Sequence, residues 1–137
     1  MIEFVKICEF PGDMLERIAG FYISAGWISP DDDQSFLHPA LAGSAAVVGA
    51  FDDGKIIGCA RALSDGCSDA YIQDVFVLPE YRRQGVGKGL IDALVGELKK
   101  LGVDWIALVG EPGTEKFYQR IGWQAKKGFT MWQPENN

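Results

Sequence analysis

The chain has 137 residues, 47% hydrophobic and 23% charged, the composition of a single globular domain with one core (residues 1–137). A formal net charge of −6 argues against general nucleic-acid binding, and no apolar run is long enough to span a membrane. Three cysteines and a single histidine, none in metal-ligand spacing, exclude a multi-histidine metal site and fit a reduced, cytoplasmic setting.

The first residues, Met1-Ile2-Glu3-Phe4-Val5-Lys6, lack the basic start and apolar stretch of a signal peptide. Residues 2–7 alternate as a strand. Residues 13–25 carry Leu15, Ile18, Ala19 and Tyr22 on one helical face. A loop with Pro30 and Asp31-Asp32-Asp33 follows, then a short helix over 36–42. Strands over 45–51 and 55–63 flank Asp52-Asp53-Gly54, a strong hairpin signal. Asp65-Gly66 turns the chain into a third strand of the meander, residues 71–78. Residues 86–101 form a helix whose stripe is Val86, Leu90, Leu94, Leu98 and Leu101, with Lys99 and Lys100 in its last turn and Gly102 beyond it. A strand over 103–109, a short helix over 114–121, and two closing strands over 123–126 and 129–132 complete the order. The expected fold is mixed α/β, with an antiparallel meander leading into one βαβ crossover.

Between the third meander strand and the long helix runs Tyr81-Arg82-Arg83-Gln84-Gly85-Val86-Gly87-Lys88-Gly89. Strand, glycine-rich turn and helix N-terminus together make an anion site, because the first helical amides lack intrahelical acceptors and the dipole is positive there. The dinucleotide fingerprint G-x-G-x-x-G fails, since Leu90 stands where the third glycine belongs. The P-loop fails too, because Gly89 follows Gly87-Lys88 and no hydroxyl is there to hold Mg²⁺. A tight turn with close helix–strand packing also explains glycines, though not the basic residues beside them.

Arg82-Arg83-Gln84-Gly85-Val86-Gly87 satisfies a third pattern, [R/Q]-x-x-G-x-[G/A], and so resembles the acetyl-CoA pyrophosphate loop of the GNAT superfamily of N-acetyltransferases. The preceding Asp74-Val75-Phe76-Val77-Leu78-Pro79-Glu80-Tyr81 is similar to that family's strand and loop. Glu115-Lys116-Phe117-Tyr118-Gln119-Arg120-Ile121-Gly122-Trp123 is similar to its later F-Y-x-x-x-G-[F/W] segment.

The resemblance implies a twisted, mostly antiparallel sheet whose strands splay to hold acetyl-CoA as co-substrate, with no metal. It implies main-chain contacts to pantetheine from Phe76, Val77 and Leu78. Pyrophosphate contacts would come from Arg82, Arg83, Gln84, Gly85, Val86, Gly87 and Lys88. A backbone N–H near Phe76 or Val77 would polarise the acetyl carbonyl. Tyr118 matches the tyrosine that protonates the departing thiolate, and a phenol of pKa about 10 is able to donate.

Two departures stand out. Branches of the family carry Glu-Asp on the strand with Glu as base, whereas this chain reads Gln73-Asp74, and Gln73 cannot accept a proton. Asp74 is left as base, as orienter of a water, as binder of the substrate ammonium, or as a polar residue at a loop contact. Tyr71 would order a water if the strand is regular. Glu111-Pro112-Gly113-Thr114 stands where many relatives have an Asn that touches pantetheine, with Thr114 as its replacement.

The implied acceptor is a primary amine of a small molecule or peptide, attacked directly in a ternary complex. Candidates for its site are Tyr22, Trp27, Phe36, His38, Arg61 and Asp65. His38 precedes Pro39 and reads as structural, and Asp31-Asp32-Asp33 as solvated surface. Cys8, Cys59 and Cys67 lack a flanking base, against an acyl-enzyme. Homodimers are common among relatives, though no stretch of this chain marks an interface. The alternative function is a non-catalytic acyl-CoA-binding or sensing domain, for which Gln73 speaks and Tyr118 does not.

Overall fold

A computed structural model of the chain describes residues 1–135. Its sheet grows outward from the hairpin at Asp53-Gly54, where both residues take positive φ (49° and 79°), as a two-residue primed turn requires. That turn joins β2 (Ala46–Asp52) to β3 (Lys55–Ser64). The five-stranded sheet follows chain order: β1 (Ile2–Lys6), β2, β3, β4 (Asp69–Val77) and β5 (Trp105–Leu108). The first three pairings are antiparallel; β4 and β5 are parallel and joined by α3 (Val86–Lys100). The expected mixed α/β fold, mostly antiparallel with one βαβ crossover, is the fold observed.

Helices cover both faces of the sheet, which is why β2 and β3 read as nearly continuous apolar runs. On one face the α3 stripe, Leu90, Ile91, Leu94 and Leu98, packs against Val48, Ala50, Ile57, Ala60 and Ile72. On the other, α1 (Gly12–Ser24) and α2 (Leu37–Ala42) bring Ile18, Phe21, Tyr22, Leu37 and Leu41 against Val47, Ile56, Cys59 and Phe76. α3 ends as its sequence dictates, with Lys99 and Lys100 at the negative end of the dipole and Gly102 in the left-handed region (φ 89°).

Strand β4 is not regular. Arg61 pairs with Gln73 and Cys59 with Phe76, so Asp74 and Val75 together oppose Ala60. This is a β-bulge, and Asp74 sits in it at φ 57°. The bulge exchanges the faces of the strand. Before it, Ala70 and Ile72 point to the α3 side; after it Val75 and Val77 do, while Phe76 joins the α1 side.

The two closing strands do not form. After α4 (Glu115–Arg120) the chain runs without regular structure through 123–132, and Phe129, Met131 and Trp132 are 80%, 62% and 87% exposed. Alternation sets which side chains share a face, but a strand exists only beside a hydrogen-bonded neighbour, and this segment does not run alongside β5. β5 is also shorter than the 103–109 expected. Among the described residues no helix is long and apolar enough to cross a membrane.

One position in β3 controls how closely β4 approaches. A Cβ on Gly58 would lie 2.7 Å from the carbonyl oxygen of Phe76, a backbone atom unable to swing aside. Gly58→Ala is therefore expected to lower unfolding stability by about 2 kcal/mol, within the range for overpacked interiors. Urea denaturation checks this.

Candidate active site

β5 keeps β4 company only from Asp69↔Trp105 to Ile72↔Leu108, while β4 continues to Val77. The two strands therefore part at the bulge, and the edge of β4 from Gln73 onward has no strand neighbour on that side. The loop to α3 begins where this open edge ends. Pro79–Tyr81 forms a single 3₁₀ turn, and Tyr81 is tied to the β2–β3 hairpin by its hydroxyl, which donates to Asp52 Oδ2 at 2.7 Å. Arg83 (φ 63°) and Gly85 (φ 80°) both take left-handed backbone, which turns the chain sharply into the helix.

Gly85 is the N-cap of α3 and no side chain caps that end. The first ladder bond runs from Gly89 N–H to the Gly85 carbonyl at 3.0 Å, which leaves the amides of Val86, Gly87 and Lys88 directed outward. These donors, with the helix dipole, fit a phosphate group. Gly89 has a different task, since a Cβ there would run into the Phe4 ring of β1. The basic side chains are partly occupied. Arg82 turns back on β4, with Nε donating to the Val77 carbonyl at 2.9 Å and the guanidinium 5.6 Å from the Phe76 ring centroid. Lys88 Nζ pairs with Asp92 Oδ2 at 2.6 Å, and Gln84 Nε2 donates to the Glu80 carbonyl. Leu78 spans the two core clusters.

On the α1 side the bulge carboxylate is held from two directions. Tyr22 Oη donates to Asp74 Oδ2 at 2.7 Å, and Arg61 Nε donates to the same oxygen at 2.7 Å. Ser44 Oγ, 3.4 Å from Arg61 Nη1, itself donates to the Ala40 carbonyl, linking the group to α2. Burial, then the hydrogen bond to Asp74, pushes the Tyr22 pKa far up, so its proton stays in place at any ordinary pH. Trp27 packs edge-on against Tyr22 (5.1 Å), and Phe36 lies 6.4 Å from Tyr22.

Tyr118 lies on α4 between Phe117 (5.0 Å) and Trp123 (6.3 Å). Its pKa is raised, first by burial and then by the charge of Glu111, which keeps the phenol a proton donor at neutral pH. Thr114 Oγ1 and N–H both bond the Glu111 carbonyl (2.5 and 3.2 Å), so this hydroxyl is committed to its own turn.

Tyr22 and Arg61 thus meet on Asp74, and Trp27 and Phe36 lie against Tyr22. His38 and Asp65 do not join them. His38 packs edge-on against Phe10. Asp65 caps the β3–β4 turn, accepting from the amides of Cys67 and Ser68 at 2.9 and 2.8 Å and from the Ser68 hydroxyl. The Ser68 hydroxyl, then the Cys67 amide, hold its pKa well below the usual carboxylate range. Asp32 and Asp33 likewise accept from the amides of Ser29 and Ser35 in their own loop. Sequence reasoning missed the bulge, although the shift of apolar residues from Ala70 and Ile72 to Val75 and Val77 signals it. It also missed the hydrogen bond from Trp27 Nε1 to Glu111 Oε1 (3.1 Å), across 84 residues, for which no local pattern exists.

The geometry at Asp74 sets a stability expectation. Arg61→Ala is expected to cost about 2 kcal/mol and Tyr22→Phe about 1 kcal/mol, typical of charged and ordinary hydrogen bonds in part-buried sites. Both bonds end on one oxygen, so each loss should shrink in an Asp74→Asn background; a double-mutant cycle by urea denaturation measures this coupling.

The family model for the Acetyltransferase (GNAT) family matches residues 13–123. GCN5-related N-acetyltransferase 2, chloroplastic, of Arabidopsis thaliana is 41% identical over 85 residues, which is 59% of this chain and 33% of that protein. The chain thus spans about a third of the length of the curated relative it matches. The structure of a GNAT family acetyltransferase from Streptococcus pneumoniae TIGR4 superimposes with a TM-score of 0.79 at 29% identity, covering 98% of this chain and 99% of that one. AAC(6')-Iy, solved with the bisubstrate analogue CoA-S-monomethyl-acetylneamine, shares the fold at TM-score 0.77 and 22% identity, with 98% of each chain covered. A family match that runs from α1 through α4, over a sheet that opens beside an uncapped helix N-terminus, means that the chain belongs to the GNAT family of acetyltransferases.

Proposed function

We propose that the chain transfers an acetyl group from acetyl-CoA to a primary amine of a small molecule or peptide, by direct attack in a ternary complex. The observation that carries this reading is the open edge of β4 running straight into the outward amides of Val86, Gly87 and Lys88. An extended pantetheine arm needs backbone partners along its length, and a pyrophosphate needs several donors at one end; the edge and the loop supply both in line. Phe76 and Val77 supply the edge, whereas the Leu78 N–H already donates to the Ile57 carbonyl and its carbonyl accepts from the Tyr81 N–H. Arg82, Arg83, Gln84 and Gly85 shape and charge the loop, with Arg82 exchanging its bond to the Val77 carbonyl for the incoming donor. Thr114 supports its own turn beside the cleft. The solved AAC(6')-Iy complex, with its CoA-based bisubstrate analogue, shows that this fold accommodates such a ligand in that protein.

The chemistry follows from three kinds of group. A backbone N–H near Phe76 or Val77 polarises the acetyl carbonyl and stabilises the oxyanion that forms on it. The amine attacks the carbonyl carbon as the C–S bond breaks. Tyr118 gives its proton to the departing sulfur as the C–S bond breaks, and the phenolate left behind, a stronger base than a thiolate, recovers a proton as the new amide nitrogen loses one. Asp74, whose Oδ2 already accepts from Tyr22 and Arg61, orients the acceptor by its charge rather than by taking a proton. An acyl-enzyme is disfavoured: burial, then the Asp74 charge, pushes the Cys59 thiol up to about 12, so it is not a thiolate at neutral pH. Cys67 is also raised, first by the Asp65 charge.

Thiol release from acetyl-CoA across a panel of amines tests the proposal. At least one amine is expected to give turnover. A blank panel together with tight acetyl-CoA binding by calorimetry would point instead to a binding or sensing domain. Tyr118→Phe is expected to lower kcat by roughly 10²-fold with acetyl-CoA affinity unchanged, and undiminished turnover would remove Tyr118 from the acid role. Because burial and Glu111 raise its pKa, loss of the Tyr118 proton is expected to reduce kcat only above pH about 10.

A further inference from the structure

A carboxylate suited to take a proton from the acceptor ammonium has a free oxygen and no cation paired with it. Gln73 has no carboxylate to offer, and Asp74 is paired with the Arg61 guanidinium at 2.7 Å besides accepting from Tyr22. Glu111 stands in the loop that leaves β5 on the far side of the cleft. Its backbone is fixed by Thr114, whose amide and hydroxyl both bond its carbonyl. Its side chain crosses to the α1 side, where Oε1 accepts from Trp27 Nε1 at 3.1 Å. Trp27 is itself immobilised: its N–H bonds the Tyr22 carbonyl at 3.0 Å, and its ring packs edge-on against Tyr22 (5.1 Å) and Phe76 (6.4 Å). The carboxylate is therefore tethered to an aromatic side chain that touches β4 just past the bulge. On its other side the preceding residue, Gly110, lies against the Tyr118 ring, where a Cβ would be 3.5 Å from Cε2. Glu111 is exposed, and among the described residues no Lys or Arg forms an ion pair with it.

We propose that Glu111 is the general base of the transfer, receiving the acceptor ammonium at Oε2 while Trp27 holds Oε1. This rests on the acetyltransferase reading above. A cationic amine enters between a free carboxylate and the aromatic surface of Trp27 and Phe36, which favours acceptors whose ammonium is attached to an apolar body. Glu111 takes one proton from the ammonium. The freed lone pair forms the C–N bond with the acetyl carbon, and the C–S bond breaks. Tyr118 protonates the thiolate and recovers a proton from the new amide nitrogen, and Glu111 releases its own to water. The influence of the Glu111 charge on Tyr118 is the expected companion of two proton-handling groups sharing one cleft.

Glu111→Gln keeps an oxygen for the Trp27 indole and removes only the proton acceptor. It is expected to lower kcat/KM for the amine by roughly 10²-fold while the calorimetric affinity for acetyl-CoA, which also reports folding, stays unchanged. Trp27→Phe, which loses the hydrogen bond but keeps the carboxylate, is expected to lose less, roughly 10-fold or below. Undiminished turnover in Glu111→Gln would overturn the base role while leaving the acetyltransferase reading intact. Equal losses in the two variants would overturn it as well, in favour of a purely structural clasp. Absence of thiol release by the unaltered chain with every amine would overturn both.

Discussion

The seat of Asp74 is the constraint on which the rest of the site depends. A carboxylate at φ 57°, in a strand, is held where two donors from different elements converge on one of its oxygens. Left-handed backbone is uncommon for a residue with a Cβ, and Asp is among the few types that tolerate it. The bond from α1, the guanidinium from β3 and the bulge in β4 thus define one another. By inserting a residue, the bulge exchanges the two faces of β4. Phe76 turns into the α1 core, and beyond it β4 continues without β5.

The parting of β4 and β5 creates the cleft, and its two ends are built from different physics. At the α3 end the donors are backbone amides, fixed by helix geometry and independent of any side chain's rotamer. Of the flexible basic side chains there, Arg82 bonds a carbonyl and Lys88 pairs with Asp92. In a chain of net charge −6 acidic partners such as Asp92 are plentiful, and the proposed function leaves an anion mainly to the backbone amides. At the α1 end the groups are aromatic rings and carboxylates, suited to a cation with an apolar body. The two ends thus differ in electrostatic character, as the proposed transfer from an anionic donor to a cationic acceptor calls for.

Much of this was legible in the residues. The helix at 86–100, the Asp53-Gly54 hairpin, the meander and the crossover follow from periodicity and turn chemistry, because those features act within a few residues of one another. The loop at Arg82–Gly87 and the segment around Tyr118 were legible as motifs. The closing strands at 123–126 and 129–132 were not correctly foreseen. Their alternation is real, but pairing depends on an edge brought alongside by the rest of the chain. Asp65 was misplaced among acceptor candidates for a related reason: its amide partners lie in its own turn, and its side chain is spent there.

The amino-acid sequence by itself determined the fold class, the glycine-rich turn at the start of α3 and the motif around Tyr118. Each rests on short-range patterns: glycine where φ must be positive, apolar residues at helical or strand spacing, basic residues beside free amides. Only the tertiary structure decided the α1 end of the cleft. It brought Tyr22, Arg61 and Asp74 onto one oxygen and joined Trp27 to Glu111 across 84 residues. Such contacts have no signature along the chain, because the distance that matters to a hydrogen bond is measured through space, and the fold alone sets it.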